Sequence, residues 1–402
     1  MDPATVVVLL TLLLGIQPVT TDLYLPALPM LARDLHTTVS AAQLTLSALI
    51  ICFGVGQLIC GPLADRFGRR PVLLVGLSLY TVASVLSAAA PTIGWLILWR
   101  ALQGAAMAAA VTCGRSIVRD LYAPHEGARV MSRALTGLGF IAMASPLVGG
   151  LLVQWLSWHA ALTVLAVFGA GTLAFVVWRF EETAPKLNPT ATQIAPMLKN
   201  WVSVVRDPTF RAWAALSALT YGGLFVTLAG SSFVFIDVLG TSRVTYGAFL
   251  LSSSMAYVAG TFLCRRLLLA RGLRGAVAVG GALTLAGGLS MALLSLVGVH
   301  NAWAIAVPQW LFAVGHGIHQ PCGQAGAVGP FPEKAGTAAS LSGFGMTLSA
   351  FAVGLWLGHS FDGTVYPLTL GVGAFSIGLA LVAWTLVQRH GDPHGTSTPK
   401  PA

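Results

Sequence analysis

Long apolar blocks alternate along this chain with short stretches that hold most of its charge. The blocks fall near 4–30, 41–63, 72–91, 94–114, 130–155 and 159–179, then near 210–238, 244–264, 275–298, 302–323, 337–358 and 364–388. Each reaches the roughly 20 apolar residues that a helix needs to cross a bilayer. The pattern therefore predicts an all-α membrane protein with twelve transmembrane helices. The hydrophilic stretch after the sixth block carries Pro185, Pro189 and Pro196 among several charges. It divides the chain into a six-helix half (1–180), a linker (181–208), a second six-helix half (209–390) and a short polar tail (391–402). Two equal halves in series match the parallel-repeat plan of many secondary transporters, in which substrate binds near midplane between the halves.

Composition agrees with lipid as the main solvent. Of the 402 residues 56% are hydrophobic and 9% charged, with a mean hydropathy of +0.80. A soluble domain carries about 25% charged residues, so a cytosolic enzyme, a nucleic-acid-binding domain and a disordered chain are excluded. Forty-five glycines suit close helix packing in a polytopic bundle. The five cysteines are odd in number and scattered, which suggests neither a disulfide framework nor a zinc site. Met1-Asp2-Pro3 lacks the basic start of a signal peptide, so the first block is expected to remain as a span.

The net charge of +9 would suit an anionic partner, but its placement argues for topology. With spans alternating in direction, every Lys and Arg except Arg33, Arg100 and Arg243 falls on one side. The positive-inside rule makes that side cytoplasmic, so both termini are expected to face inward and nucleic acid is not an expected partner.

The first loop on that side reads Gly61-Pro62-Leu63-Ala64-Asp65-Arg66-Phe67-Gly68-Arg69-Arg70-Pro71. It permits a tight turn at Gly68 and gathers Asp65, Arg66, Arg69 and Arg70 at the membrane surface; plain inward anchoring would explain the arginines but not the interleaved Gly and Asp. The loop resembles the signature between the second and third helices of the major facilitator superfamily. Leu98-Trp99-Arg100-Ala101-Leu102-Gln103-Gly104 is similar to that superfamily's second motif, with its intramembrane arginine. Ser145-Pro146-Leu147-Val148-Gly149-Gly150 resembles its antiporter motif, with Ser145 in place of a glycine. Thr21-Asp22-Leu23-Tyr24, Gln43-Leu44-Thr45, Arg119-Asp120-Leu121-Tyr122 and Ala335-Gly336-Thr337 resemble the bicyclomycin/chloramphenicol resistance (Bcr/CflA) branch of drug:proton antiporters.

That resemblance implies a gate in which Arg69 meets Asp120 while Asp65 faces the start of the eleventh span near Gly336-Thr337. It also implies helix packing at Gly104, Pro146, Gly149 and Gly150, with Pro146 marking a kink. The expected activity is proton-coupled export of small amphipathic drugs, such as chloramphenicol- or bicyclomycin-like compounds, across the bacterial inner membrane. The proton gradient would drive a monomer with no cofactor.

Asp22 and Arg100 are the two ionisable residues deep in the spans, and such groups are functional hypotheses by default. Each lies about 9–12 Å below the outer surface at 1.5 Å per residue, so they are expected to share one polar pocket and couple the proton. An inert buried salt bridge is the alternative. Tyr24 and Gln103 lie near them in sequence and join the candidate substrate residues. On the seventh span Tyr221 and Phe225 suit a drug-binding wall or plain helix filling. On the tenth, His316 and His319 share a helix face and Gln320 follows; core packing, a pocket role and a second protonation role all fit. No further ligands accompany them, so no metal site is expected.

Two rivals stand beside drug export. One is a proton-linked carrier of a sugar or amino-acid derivative on the same fold. The other is a membrane enzyme or sensor, which would need a catalytic cluster or output domain. No G-x-x-x-x-G-K-[ST] phosphate loop occurs to support nucleotide-driven transport.

Overall fold

The computed structural model describes residues 2–122, 124–184 and 187–391. Pro185 and Lys186 of the linker, and the tail from residue 392 with Lys400, lie outside the described residues. Helices are α1 (Pro3–Asp22), α2 (Leu28–Asp34), α3 (Val39–Phe67), α4 (Arg69–Ala88), α5 (Ile93–Leu121), α6 (Pro124–Trp155) and α7 (Trp158–Arg179). The linker contributes α8 (Ile194–Val205). The second half holds α9 (Pro208–Phe233), α10 (Arg243–Leu296), α11 (Ala302–Val328), α12 (Ala335–Ser360), α13 (Tyr366–Trp384) and the short α14 (Leu386–His390). No strand occurs among the described residues.

Ten continuous helical segments among the described residues are long and apolar enough to cross a membrane. One of them, α10, is two spans in line, parted at Gly272, whose φ of +66° a side chain would resist. Helix α11 has the length but interrupts its apolar run with Gln309, His316, His319, Gln320 and Gln324. Counting α10 twice and adding α11 gives the twelve spans expected, in two halves of six.

Start signals are local. Thr38, Ser157, Asp207 and Asn301 each accept a bond from a first-turn N–H of the helix that follows, which satisfies groups otherwise orphaned. Two departures from the apolar pattern matter. The first block is not one helix: α1 stops at Asp22 and the chain tightens through a 3₁₀ turn, Leu25–Ala27, into α2. Pro26 and Pro29 remove the N–H groups that a continuous helix would use. Within the linker, α8 was not expected; its apolar Ile194, Leu198, Val202 and Val205 lie exposed along one face.

The described segments around 68, 122, 180–184, 187–207, 272 and 329–334 lie at the same ends of the alternating spans, here called the linker face, where Asn188 N donates to the Asp65 carbonyl and Lys334 Nζ to Ser203 Oγ. The halves meet chiefly through α3 against α12 and α6 against α10. Close approach dominates these seams. Gly150 lies against the Arg243 carbonyl and the Pro146 carbonyl against Gly247, while Gly149 lies against the Leu23 carbonyl inside the first half; Pro146 itself sits inside an unbroken helix. Within the first half, Gly104 of α5 presses on the Leu49 carbonyl of α3 so closely that any Cβ would collide. At the opposite face the halves are tied by Arg33 Nη2 to Asp237 Oδ1 at 2.8 Å, and by Gln43 Nε2 donating to the Ala229 carbonyl at 3.3 Å.

Candidate functional site

Arg100 is fully buried on α5. Its Nη1 donates to Gln103 Oε1 at 2.6 Å and its Nη2 to the Thr20 carbonyl at 3.1 Å, while the guanidinium carbon sits 4.2 Å from the centre of the Tyr24 ring. A second ring of bonds holds those partners. Gln103 Nε2 donates to Ser84 Oγ at 2.6 Å, the Thr20 and Tyr80 hydroxyls lie 2.6 Å apart, and those of Tyr24 and Thr45 lie 2.8 Å apart. The charge is thus held by neutral oxygens and an aromatic face, an interaction worth about 2 kcal/mol or more when desolvated.

Asp22 is elsewhere. It is the last residue of α1, half-buried, and accepts from Thr21 Oγ1 at 2.7 Å. It stands within electrostatic reach of Tyr221 on α9 and Tyr246 on α10. The shared polar pocket expected for Asp22 and Arg100 is therefore corrected, and so is the alternative of a salt bridge between them. The ion pairs among the described residues are Arg33–Asp237, Arg69–Asp65 and Arg69–Asp120. Depth along a helix does not fix direction. At about 100° per residue, Asp22 points some 200° away from Thr20, whose side chain faces Tyr80 in the first half.

A cavity of about 600 Å³, its open mouth included, lies between the halves. Tyr221 of α9 and Gln17 of α1 belong to its wall, with Gln57 of α3 and Gln320 and Gln324 of α11. Arg115 of α5 projects into it, and Phe53 and Met346 supply apolar surface. Of the seven candidate substrate residues, Tyr221 and Gln320 line this cavity. The other five are placed off it. Tyr24 and Gln103 hold Arg100. Phe225 packs beside Gly354 of α12. His316 Nδ1 lies 2.9 Å from Thr220 Oγ1, its ring 5.4 Å from that of Tyr257, and His319 Nε2 lies 3.1 Å from the Val277 carbonyl. Tyr257 reaches the cavity indirectly, donating to Gln320 Oε1 at 2.5 Å. No cluster of three or more potential metal ligands occurs among the described residues.

At the linker face Arg69 is buried and bridges two acids, with Nε on Asp120 Oδ2 at 2.9 Å and Nη1 on Asp65 Oδ1 at 2.7 Å. Glu182, unforeseen from sequence, caps α4 by accepting from the Arg69 and Arg70 backbone N–H groups at 2.9 Å each. Gly68, at φ +99°, leaves room for that carboxylate. Partial burial alone would raise the Glu182 pKa, but four backbone N–H bonds outweigh it and hold the carboxyl below its usual range. Arg66 donates to Thr192 Oγ1 at 2.5 Å, Arg70 to the Val177 carbonyl at 3.3 Å, and the Asp65 carbonyl accepts from Asn188 N at 2.9 Å. The expected contact of Asp65 with residues 336–337 is not made; Arg69 takes the carboxylate, and the space beside Gly336 is open.

The Major Facilitator Superfamily model matches residues 10–354. This chain belongs to the major facilitator superfamily. An uncharacterised MFS-type transporter of Bacillus subtilis is 31% identical over 260 residues, covering 64% of this chain and 65% of that relative. Multidrug resistance protein D of Escherichia coli is 30% identical over 83% of this chain and 84% of its own. The bicyclomycin resistance protein homolog of Haemophilus influenzae is 25% identical over 96% and 98%. Among solved structures, that of a D-xylose–proton symporter superposes with a TM-score of 0.74 at 17% identity, covering 97% of this chain and 99% of that one, which speaks for the fold alone. The superfamily's members are transporters, and this one is a multi-pass membrane protein.

Several residues of the site escaped the sequence reading. Gln17, Gln57 and Gln324 carried a usable signal, being amides inside apolar spans. Arg115 lies just past the fourth apolar block, which ends at 114, whereas α5 runs to Leu121.

Proposed function

We propose that this chain exports small amphipathic drugs in exchange for protons by alternating access, as a single chain in the bacterial inner membrane. The linker face and both termini lie in the cytoplasm, where the basic residues gather. The observation that carries this reading is the position of Asp22. It ends α1 between the halves, has no cation partner among the described residues, and adjoins Tyr221 of the cavity wall. Asp22 binds and releases the proton, and substrate in the cavity opposes its protonation through Tyr221 and Gln17. Arg100 braces α1 against α5 through the Thr20 carbonyl, so a change at Asp22 is passed to the first half as a rigid body. The conformation is closed at the opposite face, where Arg33 meets Asp237, and parted at the linker face, where the space beside Gly336 is open.

Resistance of a pump-deficient host to chloramphenicol and bicyclomycin tests the reading, with drug efflux from everted vesicles under an imposed pH gradient. Wild type should confer resistance and gradient-driven transport, and Asp22→Asn should lose both while still inserting in the membrane. Wild-type transport by Asp22→Asn overturns the reading.

A further inference from the structure

Among the described residues Arg115 is the one charged residue on the cavity wall, and none of them answers its charge. It lies 15 residues along α5 from Arg100, about 22 Å nearer the linker face. Its side chain is exposed to the cavity and makes no hydrogen bond or ion pair with any described residue. No Asp or Glu lines the cavity among the described residues. The two acids near the linker end of α3 and α5, Asp65 and Asp120, are both committed to Arg69.

The surroundings define what would answer it. Gln17, Gln57, Gln320 and Gln324 offer amide donors and acceptors that suit neutral polar groups, and Phe53, Met346 and Val328 offer apolar surface. A guanidinium presents a planar fork of donors that matches a planar pair of oxygens, and charge-assisted bonds are about twice as strong as neutral ones. A cationic guest would instead meet a like charge in a confined space that water screens poorly.

We propose that Arg115 sets the substrate class of this cavity: amphipathic molecules bearing a carboxylate are selected over neutral analogues, and cationic amphipaths are rejected. This rests on the reading of the cavity as the transport site. It also changes the charge balance of transport. A carboxylate leaving against one entering proton moves two charges per cycle, whereas a neutral guest moves one.

The test is equilibrium binding to the purified full-length protein in nanodiscs, without a gradient. Three probes share one apolar body: 2-naphthylacetate, 2-naphthylacetamide and 2-(2-naphthyl)ethylammonium. Wild type should bind the acetate about tenfold more tightly than the amide, a difference of about 1.4 kcal/mol, and the ammonium weakest. Arg115→Gln should bind acetate and amide alike. Arg115→Lys should keep rejecting the ammonium while losing part of the acetate preference, because it keeps the charge and loses the fork. A melting profile of each ligand-free variant checks folding, and Arg115→Lys keeps the test readable if Arg115→Gln folds poorly. An acetate preference that survives in Arg115→Gln, tightest binding of the ammonium, or no binding of any probe to wild type overturns the proposal. Failure of proton coupling through Asp22 would leave these binding ratios untouched, so the two readings fail separately.

Discussion

Replacing Arg69 by methionine probes how the linker-face cluster holds the first half together. The side chains of Arg69 and Asp120 are each 6% exposed, whereas that of Asp65 is 46% exposed. Removing one partner of a buried ion pair strands the other charge, which costs about 3–5 kcal/mol, while an exposed pair is worth about 0–1 kcal/mol. Arg69→Met should therefore destabilise the protein by about 3–5 kcal/mol through Asp120, and Asp65→Asn by less than about 1 kcal/mol. The Glu182 cap survives both changes, because it uses backbone N–H groups. Replacing the buried pair together, as Arg69→Met with Asp120→Leu, removes the stranded charge, so the double variant should recover most of the loss. Thermal unfolding in one detergent at one scan rate reads the order of the four proteins. If Arg69→Met is no less stable than Asp65→Asn, or the double variant is worse than Arg69→Met, the argument from burial is wrong.

Other outcomes follow from the same contacts. Gly104→Val should disrupt α3–α5 packing, losing about 1–3 kcal/mol or more because the Leu49 carbonyl cannot yield as a side chain would; unfolding midpoints check this. Arg33→Ala should shift stability by no more than about 1 kcal/mol, since its pair with Asp237 is exposed. It should nevertheless raise the labelling rate of a cysteine placed at the opposite face, because that pair ties the halves there. Glu182 contributes pH-dependent docking of the linker. A carboxyl with a lowered folded-state pKa stabilises above its unfolded pKa, and that contribution fades as pH falls through the lower folded value. Limited proteolysis of residues 187–193 should therefore accelerate on acidification below the usual carboxylate range in wild type, and Glu182→Gln should be cleaved readily at all pH values.

Apolar blocks of spanning length gave the number and order of the spans, because a bilayer demands long apolar segments with internally satisfied backbone, whereas helix ends at the membrane surface ran up to seven residues past the blocks, as α5 does. The exceptions were local. Pro26 and Pro29 ended α1 early, and Gly272 joined two spans end to end. Buried charge was visible in Asp22 and Arg100, but their partners were not, because a linear depth count carries no information about rotation. The gate motif made Arg69–Asp120 legible. The Asp65 contact expected from the same motif is not made, because Arg69 takes that carboxylate. Glu182 sat in a stretch with no periodicity, so nothing marked it as the cap of a helix more than a hundred residues earlier. Of the cavity's glutamines Gln320 was legible beside the two histidines, whereas Gln17, Gln57 and Gln324 could be found only as single amides inside apolar spans, since one amide per turn or two scarcely alters the hydropathy of a span.

Substrate-induced proton release from the purified protein tests the central claim most directly. In weakly buffered detergent solution near neutral pH, adding a transported drug to wild type should release protons in proportion to occupied cavities, and Asp22→Asn should bind the drug and release none. Equal release from both proteins would show that the proton resides elsewhere and would contradict the account.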